Sequence, residues 1–373
     1  MKQLKVMTIF GTRPEAIKMA PLINKMHESD RIESIVCVTA QHREMLDSVL
    51  NLFGICPDYD LNIMKHGQTI VDISSRVIRG LENVLKEEKP DIVLVHGDTT
   101  TTFMGALSAF YQKIDVGHVE AGLRSGNIYS PHPEEMNRKL TSSLSSMHFA
   151  PTIGNYNNLV KEGVSKDKIF VTGNTVIDAL LQAVEKDYVF ENPILNGIDY
   201  VNKKIIVMTV HRRENWGQPM ENIFNAVNEI VKCNEDVEII YPVHLNPRIK
   251  DLAHRILSNN KKIHLIEPLD YKPFANLLNK AYLILTDSGG IQEEAPALKK
   301  PILVVREETE RPEAVEAGTV KVVGVKTQDI INETQLLISD ENRYKQMARA
   351  INPYGDGTAS EKTIEAILNY YKY

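Results

Sequence analysis

The richest chemistry lies in residues 281–296, AYLILTDSGGIQEEAP, where an apolar strand signal over 282–285 runs into Ser288, Gly289 and Gly290 and then a helix carrying Glu293 and Glu294. Glycines at such a junction let the backbone N–H groups of a helix N-terminus face a phosphate. One turn into the helix, Glu293 or Glu294 is placed to accept hydrogen bonds from ribose hydroxyls, as acids do in other dinucleotide sites. The segment predicts a cradle for a nucleotide diphosphate. The plainer alternative is a glycine turn with a solvated acidic first turn that complements the helix dipole.

In open α/β sheets ligands sit beyond the carboxyl ends of the strands, so the polar residues after each strand signal are the candidates. After 4–10 comes Gly11-Thr12-Arg13-Pro14-Glu15, in which Pro14 suits a first helical turn and Arg13 and Lys18 are candidates to face a phosphate. After 92–96 come Gly97-Asp98 and four threonines, and after 116–119 comes Glu120-Ala121-Gly122-Leu123-Arg124. Asp98 and Glu120 are thus expected to rim one crevice, although Asp98 also suits a simple helix cap over 99–102. Glu120, between an apolar strand and Ala-Gly, has no obvious helical or surface duty; partial burial is expected to raise its pKa towards that of a general acid or base. Residues 131–138, PHPEEMNR, open a helix with Glu134 and Glu135 in its first turn, where the dipole alone favours them. In the second half His211-Arg212-Arg213 follows a strand signal and invites phosphate contact, with a surface charge cluster as the alternative. His244 follows the next strand, and Glu310-Arg311-Pro312-Glu313 follows 302–305, again on the crevice side. Metal-ligand spacings such as HExxH and CxxC do not occur, nor does GxGxxG, so neither a metal nor a nicotinamide cofactor is expected.

The elements that must position these residues alternate. Strand signals at 4–10, 35–39, 92–96 and 116–119, and again at 204–210, 237–243, 263–266, 282–285, 302–305 and 320–323, are separated by amphipathic segments, the pattern of parallel βαβ units. A chain of 373 residues divides naturally into two such domains. Residues 187–202 read as a loop near the boundary, 352–357 as a concentrated turn, and 359–371 as one amphipathic helix. A net charge of −6 without a basic tract argues against nucleic acid as the main partner. No apolar run approaches the roughly 18 residues of a membrane span, and the first residues turn polar too early for a secretory signal, so a cytoplasmic protein is expected. Cys37, Cys56 and Cys233 suit reduced thiols.

Eight motifs together carry a family resemblance: GTRPEA at 11–16, HGDTTTT at 96–102, HVEAGLR at 118–124, PEEMNR at 133–138, TGNTVIDAL at 172–180, HRREN at 211–215, DSGGIQEEAP at 287–296 and ERPEA at 310–314. They occur in family order over nearly the whole chain, which resembles a bacterial non-hydrolysing UDP-N-acetylglucosamine 2-epimerase. The resemblance implies two Rossmann-like doubly wound domains of the glycosyltransferase B type around an active-site cleft that domain closure would complete. It places the first domain at 1–175, completed by a returning helix at 356–373, and the second, UDP-binding domain at 176–355. It also implies a homodimer and no cofactor. The implied reaction interconverts UDP-GlcNAc and UDP-ManNAc by C2 deprotonation and loss of UDP to 2-acetamidoglucal, then re-addition, supplying ManNAc for cell-surface polysaccharide. By resemblance, Asp98, Glu120 and Glu134 are the acid–base residues, and His211 supports the pyrophosphate or leaving group. Arg13, Lys18, Arg138, Ser288, Gly289, Gly290 and Arg311 would hold phosphates, Glu294 the ribose, and Phe274 would lie near uracil.

Two features depart from the relatives. His132 stands where an aromatic residue is usual, beside the loop that carries Glu134. Some Gram-positive members bind a second UDP-GlcNAc as activator; Gln41, Glu134, Arg212 and His244 match that site, but Glu44 and Gly67 stand where those members carry Gln and Arg. Strong activation by substrate is therefore not expected. The rival readings are a hydrolysing UDP-GlcNAc 2-epimerase, which releases UDP, a glycosyltransferase of the same fold, and a UDP-sugar-binding regulator.

Overall fold

The structure, a computed structural model, describes residues 3–41 and 43–373. The chain divides into two compact units: residues up to Ala179 together with Tyr354–Tyr373, and Leu180–Pro353.

The first unit is built on a parallel sheet of β1 (Leu4–Phe10), β2 (Ile32–Val38), β3 (Tyr59–Asp60), β4 (Ile92–His96), β5 (Asp115–Val119), β6 (Met147–Ala150) and β7 (Ile169–Val171), in the order β3-β2-β1-β4-β5-β6-β7. Strands β1 and β4 are buried along almost their whole length, because helices cover both faces of a parallel sheet. Register is set by apolar partners: Val6 lies opposite Ile92 and Ile9 opposite Val95. One face packs Met7, Ile9, Val93 and Val95 against Val77, Leu81 and Met104 of the crossover helices Ile70–Glu88 and Thr100–Tyr111. Gly117 of β5 is required by packing, since a Cβ there would lie 2.6 Å from Leu94 and 3.1 Å from Phe149.

The second unit repeats the plan with β8 (Lys204–Thr209), β9 (Val237–Pro242), β10 (Ile263–Ile266), β11 (Leu283–Thr286), β12 (Ile302–Val304) and β13 (Val320–Val322), ordered β10-β9-β8-β11-β12-β13 and parallel throughout. Its core joins Ile206, Met208, Phe224, Ile239, Tyr241, Leu283 and Leu303. Tyr241 is fully buried and its hydroxyl donates to the Val210 carbonyl at 2.7 Å, which fixes the chain just beyond β8.

Both sheets reverse their winding at one place, between β1 and β4 and between β8 and β11. These switch points open a crevice at the carboxyl ends of the strands. Three strands of the first sheet have no counterpart in the sequence reading. β3 has two residues and β7 three, too short to show a period, and the four residues of β6 include no β-branched side chain. The region read as a loop, 187–202, contains one helical turn, Pro193–Asn196, capped by the Asn192 side chain, which accepts from the Ile194 N–H at 2.9 Å. The helix Ala359–Tyr371 packs in the first unit, where Asp178 accepts from the N–H groups of Ala359 and Ser360 at 3.2 and 2.8 Å.

Candidate active site

At the switch point of the first unit, helix Arg13–His27 starts on Thr12, which forms a capping box with Glu15. Glu15 is only 2% exposed and does far more than cap. One carboxylate oxygen accepts from the N–H groups of Gly11 and Thr12 at 3.1 and 2.8 Å and from the Thr12 hydroxyl at 2.7 Å; the other accepts from Thr99 at 2.6 Å, with the Thr102 hydroxyl 3.0 Å away. Burial pushes its pKa up, against the pull of the Thr99 and Thr12 hydroxyls. Glu15 thereby ties the turn after β1 to the turn after β4. That turn approaches closely at Gly11, where a Cβ would overlap the Thr39 hydroxyl at 1.9 Å.

The turn after β4 is clamped on every side. The Gly97 N–H donates to Val119 O at 2.9 Å, His118 Nε2 lies 2.7 Å from Gly97 O, and Asn137 donates to Asp98 O at 2.9 Å. Asp98 is not the helix cap: Thr99 takes that place, accepting from the Thr102 N–H at 3.1 Å. The Asp98 carboxylate is instead held by Arg138, whose Nε and Nη2 donate at 3.0 and 2.6 Å. Burial raises the Asp98 pKa; Arg138 opposes the rise and the charge of Glu120 adds to it. Arg138 is also paired with Glu135 at 3.0 Å, so its guanidinium is engaged by two carboxylates.

Glu120 follows β5 with φ +62, a left-handed conformation that an ordinary residue adopts only where the surroundings enforce it. Its Oε2 is paired with Lys18, accepts from Asn174 at 3.0 Å and lies 3.7 Å from His96 Nε2. The paired glutamates of helix Glu134–Leu144 separate by role. Glu135 is fully buried, and although burial raises its pKa, donors on Ser125, Arg138 and Gly126 outweigh that and hold it low. Glu134 is partly exposed at the first helical position, with His132 exposed two residues before it. Arg13 is partly exposed at the start of its helix. Gln41 accepts from Thr101 at 3.1 Å, while Glu44 and Gly67 are exposed.

The second unit has its own knot at the switch point. Asp287, fully buried after β11, accepts from the backbone N–H groups of His211 and Arg212 at 2.9 and 2.8 Å and from Asn215 at 3.0 Å. Asn215 also donates to Val305 O at 3.1 Å, so three strand ends share one network. The His211 ring stacks on His244 with centroids 5.6 Å apart, and burial lowers its pKa, keeping it neutral near pH 7 despite Asp287. Helix Gly289–Glu294 begins at Ser288, whose N–H donates to Thr286 Oγ1 at 2.9 Å. A Cβ on Gly289 would meet Arg212 Nη2 at 3.4 Å and Arg311 Nη2 at 3.9 Å. Two guanidiniums therefore converge on a helix N-terminus, three sources of positive potential around one glycine. Each is steadied from behind: Arg212 reaches Glu310 at 3.3 Å, and Arg311 is paired with Glu293. Glu310 is anchored at 2.6 Å by the buried Arg306, whose hydrogen bonds lower its pKa to about 2. Glu293 is thus committed to Arg311, whereas Glu294 Oε1 lies back over Gly290, 3.4 Å from where a Cβ would stand. Phe274 is partly buried on helix Tyr271–Lys280.

Lys18 and Glu120, and Asp98 and Arg138, are the partners that sequence reasoning did not pair. It read Glu135 only as a first-turn acid and gave no role to Glu15 or Asp287. The Thr12-x-x-Glu15 capping pattern was a signal for Glu15; an acid directly after a buried strand, as at Glu120, was the signal for Asp287. Among the described residues no group of three or more His, Cys, Asp or Glu is disposed to hold a metal, and no helix is long and apolar enough to cross a membrane.

The family model described as UDP-N-acetylglucosamine 2-epimerase matches residues 24–368. The UDP-N-acetylglucosamine 2-epimerase of Bacillus subtilis is 54% identical over 373 residues, covering 100% of this chain and 97% of its own. That of Escherichia coli K12 is 54% identical, covering 98% and 99%. The crystal structure of UDP-GlcNAc 2-epimerase from Neisseria meningitidis bound to UDP-GlcNAc superposes with a TM-score of 0.86 at 53% identity, covering 98% of this chain and 100% of that one. With a family model spanning most of its length and full-length relatives at this identity, the chain belongs to the UDP-N-acetylglucosamine 2-epimerase family.

Proposed function

We propose that the protein is an isomerase that interconverts UDP-N-acetylglucosamine and UDP-N-acetylmannosamine without releasing UDP to solution. A carboxylate removes the C2 proton while the C1–O bond to UDP breaks, giving 2-acetamidoglucal and UDP; UDP then adds back as a proton is delivered to the other face of C2. The observation that carries this reading is Glu120, a carboxylate in a left-handed backbone conformation at the strand ends, paired with Lys18 and sensed electrostatically by Asp98. A proton α to an acetal carbon is weakly acidic and needs such a positioned base. Asp98, Glu120 and Glu134 are the acid–base set, with Arg138 positioning Asp98 and Arg13 and Lys18 available to the diphosphate.

The departing UDP carries the negative charge that develops as C1–O breaks. Arg212 and Arg311 above Gly289, with Ser288 and Gly290 beside it, suit that charge, and neutral His211 supports the leaving group as a hydrogen-bond partner. Glu294 would take the ribose hydroxyls and Phe274 the neighbourhood of uracil. Strong charge-assisted contacts favour keeping UDP for the return step. The reading carries with it a homodimer working on the cytoplasmic nucleotide-sugar pool and supplying ManNAc units for surface polysaccharide. Product analysis after incubation with UDP-GlcNAc tests it: UDP-ManNAc with little free UDP is expected, whereas stoichiometric UDP with free N-acetylmannosamine would establish the hydrolysing reaction instead.

A further inference from the structure

His96 ends β4 with 3% of its surface exposed, and neither ring nitrogen has a hydrogen-bond partner among the described residues. His118, buried on the neighbouring strand, leaves only Nδ1 unpartnered and uses its Nε2 on Gly97 O. Burying an imidazole with both nitrogens idle is costly, and an apolar side chain would fill the space without that cost. Glu120 lies beside it, with Oε2 3.7 Å from His96 Nε2, less than an ångström beyond hydrogen-bonding distance. That oxygen is occupied by Lys18 and Asn174.

We propose that His96 is a positioning residue for Glu120: a neutral imidazole whose Nε2–H closes onto the Glu120 carboxylate when Lys18 turns from it to the substrate's diphosphate. The inference rests on the epimerase reading and deepens it. Lys18 cannot serve the diphosphate while bound to Glu120, and a carboxylate that lost its cation with no replacement donor would take up a proton and cease to be a base. A neutral donor replaces the hydrogen bond without replacing the charge, which leaves Glu120 more basic than a lysine pair does and still oriented. The imidazole suits this because burial holds its pKa down at about 4, so it remains neutral over the working range. The groups facing Glu120 include Lys18 from helix Arg13–His27, His96 from β4 and Asp98 from the turn after β4, with the uncharged Asn174 beside them. His96 itself faces Glu120, Lys18 and the buried His118 of β5.

The test is the pH dependence of kcat, which reports the substrate complex in which the bond forms, in three variants. Gln carries an N–H where His carries Nε2, Asn carries it one atom short, and Leu carries none. Loss of a donor to the carboxylate raises the Glu120 pKa, so a limb of the profile moves to higher pH by about one unit in His96→Leu and His96→Asn, with kcat falling about tenfold or more and KM changing little. His96→Gln is expected to restore the wild-type limb. A purely structural histidine gives the opposite: melting temperatures fall, the limb stays in place, and Gln does no better than Asn. That result overturns the proposal. Should the variants not fold, imidazole NMR of the 15N-histidine-labelled wild type decides: the His96 Nε2–H resonance moves downfield on saturation with UDP-GlcNAc if the bond forms, and an unmoved resonance overturns it. Wild-type protein that makes no UDP-ManNAc would defeat the epimerase reading itself; wild-type epimerisation with an unmoved limb defeats only the role of His96.

Discussion

Glu120 concentrates the chemistry at the scale of single residues, because its backbone conformation, its lysine partner and its neighbour Asp98 all bear on one carboxylate. Glu120→Gln keeps the shape and the contact with Asn174 but removes the base. Turnover is expected to fall by about 10² or more, while UDP affinity, which the proposed function assigns to Arg212, Arg311 and the turn at Gly289, stays within a few-fold of wild type. Near-normal turnover would demote Glu120 to a structural acid. Asp98 and Glu120 stand out in the sequence because each comes shortly after an apolar strand signal, and Glu120 has no evident helical or surface duty, whereas Asp98 could also be read as a helix cap. The supporting acids were harder to see for a physical reason. Glu15 looks like an ordinary cap, and only the fold reveals that it also binds Thr99, which is 84 residues away. Asp287 looks like part of a glycine turn until β8 and β11 are neighbours.

At the scale of elements, strands rich in Ile, Val and Leu were legible even when short, and the two-residue β3, β6 and the three-residue β7 were not. The runs 4–10 and 92–96 coincide with β1 and β4, since each is buried nearly end to end and carries a strong β signal; 263–266 coincides with β10 through its two buried isoleucines. β6 (Met147–Ala150) escaped because it holds no β-branched residue; its His148 is nonetheless only 1% exposed. Burial lowers its pKa to about 4, with Lys168 and Arg124 pushing the same way. In the unfolded chain an imidazole titrates near 6.5. Between these values the unfolded state binds the extra proton, so the contribution of His148 to stability is present above about pH 6.5 and is lost as pH falls towards 4. The loss amounts to about 1.4 kcal/mol per pH unit for that one group. His148→Leu is therefore expected to start less stable or equal at pH 7.5 but to lose stability less steeply than wild type between pH 6.5 and 4.5, measured by urea unfolding. Parallel slopes in the two proteins would contradict the buried neutral imidazole.

At the scale of the whole molecule, the chain leaves the first unit after Ala179 and re-enters it at Tyr354. The final helix is part of that unit's core rather than a tail: Ile364, Ile367 and Leu368 are buried, Asp178 caps its first turn, and Tyr371 donates to Asp115 at 2.6 Å. Ending the chain at Thr358 removes three large apolar side chains from the interior, a loss of at least about 4 kcal/mol. A marked fall in melting temperature with loss of turnover is expected, and a truncated protein that melts with the wild type would show the helix to be dispensable.

The two sheets distribute the proposed work: carboxylates at the switch point of the first, a positive nucleotide grip at that of the second. The claim that joins them is proton exchange at C2 of a nucleotide sugar whose UDP is retained. Proton NMR of the protein with UDP-GlcNAc in D2O, without added metal or nicotinamide, tests it most directly. UDP-ManNAc carrying deuterium at C2, with little free UDP, is the result predicted here; an epimer that keeps its original C2 proton, or an unchanged spectrum from protein that binds UDP, would contradict the account.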